Sequence, residues 1–198
     1  MSVTFNQNSM PATQRTIWRG EAKMLPAGFK LLQDFPAETV LRRGAFVHVD
    51  MDTLTGAITK VSKVISGGTT SKPRVPKDHY FVAGDKVQKV GATSYVTVSS
   101  IDSSNADYDV LTLSSAISGL AADDFIVESD GAETAAPKYL PNAVLGENRV
   151  IKASDLPTLD VAWGALVIKD VAPAIPTAWI EDGGLCLKYN HNIVLIRQ

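Results

Sequence analysis

Apolar and polar residues alternate along most of this chain, and the alternation predicts strands. From Gly44 the stretch "AFVHVDMDTLTGAITKVSKVIS" sets Phe46, His48 and Asp50 against Ala45, Val47, Val49 and Met51, a period of two that puts successive side chains on opposite faces. "DMDTLTG" supplies turn residues, and "AITKVSKVI" returns as the second strand of a hairpin. The D-x-D spacing of Asp50 and Asp52 does not continue as a calcium loop, because Leu54 and Val61 stand where oxygen ligands are required. Residues 66–78, "SGGTTSKPRVPKD", read as a linker rich in Gly and Pro. Short strands follow around Val87, over 94–101, in "YDVLTLS" and in "DFIVE", separated by turn-forming stretches such as "DSSNAD". A second linker, "SDGAETAAPK" at 129–138, precedes strand-like "TLDVAWGALVIKDV" and a last strand or strand pair in "GGLCLKYNHNIVLIRQ".

The pattern predicts an all-β fold of mainly antiparallel strands. A β-sandwich or barrel body is expected from 41–66 plus 137–198, with a small barrel-like subdomain inserted at 72–130. Residues 1–40 keep no sustained period, yet carry Phe5, Ile17, Trp18, Met24, Phe29 and Phe35, and disordered segments are poor in aromatics. They are expected to form an extended N-terminal arm that lies on a surface, either a partner's or that of its own domain.

Composition narrows the classes. The single cysteine, Cys186, permits no intrachain disulfide or cysteine metal cluster and reads as a small buried hydrophobe. The first residues lack the charged start and apolar core of a signal peptide, and no apolar run approaches the roughly 20 residues of a membrane span, so synthesis and assembly in a cytoplasm are expected. A net charge of -2 gives no reason to expect nucleic acid or an anionic membrane as partner. Charge is uneven, however: seven basic residues lie between Lys60 and Lys89, and eight acidic residues with no Lys or Arg lie between Ser100 and Glu133. Such halves can pair within a sheet or between subunits, or simply face solvent.

No phosphate loop, metalloprotease helix or nucleophile elbow is present, and no cofactor, metal site or catalytic residue is expected. His48, His79 and His191 lie more than about 30 residues apart and read as structural or surface groups. Asp102, Asp107 and Asp109 could in principle furnish a glycosidase carboxylate pair, but turn chemistry already accounts for them. Tyr80, Tyr95 and Tyr108, near Asp and Asn loops, are the candidates for a non-catalytic carbohydrate-binding platform. Trp163, inside "DVAWGALVI", is expected in the core.

"HYFVAGDKV", then "ATSYVTVSSIDSSNADYDVLTLSSAISGLAADDFIVE", then "PNAVLGENRVI" and "ALVIKDVAPAIP", across roughly 65–175, resemble the head-fibre and auxiliary capsid proteins of tailed bacteriophages, particularly phages of Bacteroides-type and crAss-like gut lineages. The resemblance implies a non-enzymatic virion protein on the outer capsid surface, bound to the major capsid protein through its N-terminal part. It also implies homo-oligomers, with trimers favoured, and a possible second head-fibre protein as partner. The chain carries no long fibrous shaft, which favours a compact decoration protein or a fibre base. Under this reading Phe5, Ile17, Trp18, Met24, Phe29 and Phe35 are the apolar capsid contacts. Arg15, Arg19, Arg42 and Arg43 are their charged rim.

Overall fold

The computed structural model describes residues 16–25, 28–153 and 156–197. Phe5 and Arg15 lie outside the described residues. Five strands open the chain: β1 (Trp18–Met24), β2 (Phe29–Leu31), β3 (Val40–Leu41), β4 (Phe46–Asp50) and β5 (Thr55–Ile58). Six more build the inserted unit: β6 (Val61–Lys63), β7 (Arg74–Pro76), β8 (Lys86–Lys89), β9 (Val96–Asp102), β10 (Tyr108–Leu113) and β11 (Phe125–Glu128). The chain returns through β12 (Ala143–Leu145), β13 (Arg149–Val150), β14 (Thr158–Leu159) and β15 (Val161–Ile168), and ends with β16 (Ile180–Glu181), β17 (Cys186–Leu187) and β18 (Asn190–Ile196). The fold is all-β, and most of its pairings are antiparallel; β2 with β5 and β15 with β18 are the parallel exceptions.

The body is a ten-stranded sheet of order β14-β2-β5-β4-β12-β15-β18-β17-β16, with β1 added on β15. Ala162 faces both Met24 and Val144, and Val167 faces both Trp18 and Leu195, so β1 holds one edge of β15 while β12 and β18 share the other. Adjacent residues of the central strands serve opposite cores. On β4, Phe46 packs with Val144, Ile193 and Leu195, whereas Val47 and Val49 pack with Phe29, Leu145 and Leu159. Burial on both faces explains why "AVL" and "VAWGALVI" read as continuous apolar runs instead of alternating ones. The β3–β13 ribbon adds Leu41 to the second of these clusters.

The inserted unit is a six-stranded sheet of order β6-β11-β8-β9-β10-β7, and a bridge between Ile65 and Arg74 returns the path to its first strand, closing a small barrel. Strands β8, β9 and β10 form a meander with β11 laid beside β8, the Greek-key order. Inward positions carry Val75, Val87, Val98, Leu111, Leu113 and Ile126. Because β6 and β7 belong to this barrel, it begins near residue 61, earlier than the expected 72. "RVP" within the expected linker is a strand, since a proline is tolerated at its end.

The described part of the expected N-terminal arm is not separate from the body. Trp18–Met24 pairs with β15 and Phe29–Leu31 with β5 and β14, which supplies backbone partners that the weak sequence period does not advertise. Two wide register shifts on β1, one beside Gly20 at φ 67°, break its alternation and account for the missing period.

Candidate functional site

The chain enters the barrel at Lys60 and leaves it after Glu128, so one barrel end faces the body. At that end the Glu128 N–H donates to the Lys60 carbonyl at 3.0 Å. The Val61–Val127 register thus places Lys60 and Glu128 directly across from each other, with side chains on the same face. Glu128 lies two residues beyond the inward-facing Ile126, so both charges point toward the barrel axis. Lys60 Nζ meets both carboxylate oxygens of Asp85 at 2.8 and 2.9 Å, with the two side chains only 2% and 11% exposed. The Val82 N–H also donates to Asp85 Oδ2 at 2.8 Å, and the Phe35 ring lies 5.0 Å from the ammonium.

Glu128 in turn accepts from Lys138 Nζ and from Gln33 Nε2, both at 2.9 Å. The Gln33 amide also closes onto the Ile58 backbone, donating to its carbonyl at 2.9 Å and accepting from its N–H at 2.7 Å. Burial draws the Lys138 pKa down, but the adjoining Glu128 carboxylate outweighs it and leaves the ammonium raised above its ordinary value. Buried charges are tolerable only when paired in this way.

A second charged cluster closes the same end. Asp109 shares the inward face of β10 with Leu111 and Leu113, and receives Lys77 Nζ on one oxygen and His79 Nε2 at 3.1 Å on the other. The Phe81 N–H donates to His79 Nδ1 at 2.9 Å, which fixes the neutral tautomer with its proton on Nε2. Burial lowers the His79 pKa against the pull of Asp109. For Asp109, burial raises the pKa, and the bonds from Lys77 and Ser103 together with the facing His79 outweigh it, leaving the carboxyl below its usual range. The segment carrying His79 is itself docked on the body: Arg42 Nε meets Asp78 at 2.8 Å, and the Arg42 N–H donates to the Tyr80 hydroxyl at 3.0 Å. Asp78 and Tyr80 adopt φ 63° and 62°, a conformation side chains avoid unless their surroundings impose it.

Two open hollows lie on the surface of the described residues. One, of about 740 Å³, lies between the barrel wall at Lys89, Asp124 and Phe125 and the body segment running from Lys169 through Ile175 to Ile180. Of the cations lining it, Lys63 and Lys89 are matched to Asp123 and Asp124 at 2.6 and 2.7 Å. The other, of about 530 Å³, follows β1 and is lined by Trp18, Glu21, Met24, Arg43, Glu147 and Asn148, among others. There the Arg43 guanidinium lies 3.9 Å over the Trp18 ring.

Of the sequence-based contact candidates, Trp18, Met24 and Arg43 therefore converge on one groove, and the exposed Arg19 sits on the same strand. Ile17, Trp18 and Phe29 are buried in the chain's own cores, so the apolar faces of Ile17 and Phe29 are occupied internally. Phe35 is half-buried against Tyr80 and Lys60, and Arg42 is engaged with Asp78.

The three tyrosines are held separately: Tyr80 against Phe35, Tyr95 under Lys86 and Tyr108 under Arg74. Asp102 accepts from the Ser104 N–H, the local turn bond expected of it, whereas Asp109 departs from the turn reading by joining the buried cluster. His48 Nδ1 sits 2.8 Å from the Leu140 carbonyl, and His191 pairs with Glu181 at the surface. Cys186 is buried, and Trp163 is partly buried against the body core. Among the described residues no group of three or more His, Cys, Asp or Glu side chains is arranged to hold a metal ion.

Sequence reasoning missed Gln33, Lys60, Asp85, Glu128 and Lys138. One signal was present: Lys60 sits between Thr59 and Val61, both buried, just after the buried end of β5, a position where a solvated lysine does not fit. No family model matches the chain, and neither a curated protein nor a solved structure shows significant similarity to it.

Proposed function

We propose that this protein is a structural virion component that decorates the outer surface of a phage capsid. In this reading it attaches to the major capsid protein through β1 and the groove beside it, and it performs no catalysis. The observation that carries the reading is the convergence of Trp18, Met24 and Arg43 on one open groove at an edge strand. Met24 is 42% exposed, and the Arg43 guanidinium, seated over the buried Trp18 ring, offers a cationic anchor of the kind enriched at interfaces.

The joint supports the same reading from the other side. Its buried carboxylates and cations are matched to one another and hold the barrel on the body, an arrangement suited to rigid mounting. Contact made at the groove is repeated at every copy on a shell, so modest binding per copy gives a large total. Self-association, with trimers favoured, belongs to the same proposal and increases that multiplicity. The test is co-sedimentation with emptied shells, comparing the natural chain with Arg19→Glu and Met24→Asp, two exposed positions on β1.

A further inference from the structure

The Lys60–Asp85 contact joins the strand entering the barrel to the turn that opens β8, 25 residues later. Three features set it apart from the surface ion pairs Lys63–Asp123 and Arg42–Asp78. Lys60 Nζ lies within 2.9 Å of both Asp85 oxygens and so faces the carbon between them. Water is excluded from the ammonium, whose side chain is 2% exposed and has the Phe35 ring beside it. A second carboxyl, Glu128, stands directly across the strand pair on the same face and is itself buried.

We propose that Lys60 and Asp85 condense within the folded chain to an isopeptide bond. The ammonium passes one proton to Asp85 Oδ1, which it contacts at 2.9 Å, and frees the nitrogen lone pair. The carboxyl plane of Asp85 turns about its Cβ–Cγ bond, and the nitrogen attacks Cγ. Charge then develops on Oδ2, where the Val82 N–H already donates at 2.8 Å and can hold it through the tetrahedral intermediate. A second proton passes from the nitrogen to Oδ1, which departs as water carrying both protons. Two of the three ammonium protons and one carboxyl oxygen are lost as water, and the third proton stays on the amide nitrogen. No oxidant, reductant or activated donor enters the balance.

The fold supplies what the reaction lacks in water. It holds the two groups at near-attack separation, which can replace a large part of the barrier. Gln33 and Lys138 occupy both oxygens of Glu128, which leaves Asp85 as the carboxylate in contact with Lys60. The product would tie the body-to-barrel crossing covalently to the β8 turn and shorten the loops open to the unfolded chain, as a disulfide does. This inference is independent of the capsid reading.

The experiment is the intact mass of the purified full-length chain under denaturing conditions, followed by peptide mapping. We expect the natural chain to be lighter than its sequence by one water, with a branched peptide joining the segments that contain Lys60 and Asp85. Lys60→Arg and Asp85→Ala are expected at full sequence mass. A natural chain at full sequence mass would overturn the proposal, as would a lost water that maps to a cyclised aspartate with Lys60 and Asp85 on separate peptides.

Discussion

Gln33 and Glu128 stand 95 residues apart in the chain and are joined by a buried 2.9 Å hydrogen bond that couples the β2 end of the body to the last strand of the barrel. Gln33 makes three bonds at once, two of them to Ile58, and acts as a side-chain extension of the sheet. Gln33→Leu leaves the Ile58 groups and one Glu128 oxygen short of a partner. We expect a loss of about 2–4 kcal/mol in denaturant unfolding, since each missing bond costs about 1 kcal/mol and more where a charge is left unpaired. A midpoint equal to that of the natural chain would show that Gln33 does not couple the two units.

His79 makes stability depend on pH in a defined window. Its pKa in the folded chain lies below the ordinary 6.5, chiefly through burial, so below that pH the unfolded chain binds a proton that the folded chain refuses. Stability is therefore full above about pH 6.5 and falls on acidification, by at most about 1.4 kcal/mol per pH unit for one proton. Asp109, held below the ordinary 3.8, contributes stability that is present above that value and is lost as pH falls through its folded pKa. Unfolding midpoints measured from pH 8 to pH 5, where other carboxylates change little, should slope downward in the natural chain and flatten in His79→Leu. Equal slopes in the two proteins would contradict the assignment.

Tyr80 gives the alkaline counterpart. Burial pushes its phenol up to about 12. It should remain un-ionised in an absorbance titration while a solvated phenol ionises near the ordinary 10. Because the unfolded chain releases this proton first, stability should fall as pH rises above about 10. A Tyr80→Phe chain, which lacks the phenol, should show a shallower fall. An identical alkaline slope would contradict this.

Two glycines with left-handed backbones separate strain from crowding. At Gly84, φ 96°, a Cβ would meet nothing within 4 Å, so Gly84→Ala carries only the backbone cost of about 1–2 kcal/mol. At Gly44, φ 86°, a Cβ would lie 2.4 Å from Ile17 Cγ2, the residue that seats β1 on the body. Gly44→Ala should therefore be the more destabilising of the two in thermal melts, and the reverse order would argue that Ile17 is not held where the fold places it.

The barrel was the most legible part of the sequence. Its strands read correctly because one face is buried and the other solvated, as in β10, where Asp109, Leu111 and Leu113 alternate with partly exposed neighbours. Its opening strands were missed for a physical reason: β6 follows β5 with only two residues between, and β7 ends on a proline, so neither announces a change of sheet. The body was harder, because burial on both faces erases the period-two signal in β12 and β15, and the irregular register of β1 hides a strand in what reads as an arm. The joint was the least legible. Lys60, Asp85 and Glu128 come from three separate strands or turns, and only the register brings their side chains to one place.

The capsid reading meets its most direct test in a binding isotherm. Purified chain is mixed with emptied phage shells that lack it, the shells are sedimented, and bound copies are counted against capsid subunits, with Arg19→Glu and Met24→Asp run in parallel. Saturation at a fixed ratio, lost or reduced at least tenfold in the β1 variants while their unfolding midpoints hold, is the predicted result. Absence of saturable binding by a folded natural chain, or binding that the β1 substitutions leave untouched, would contradict it.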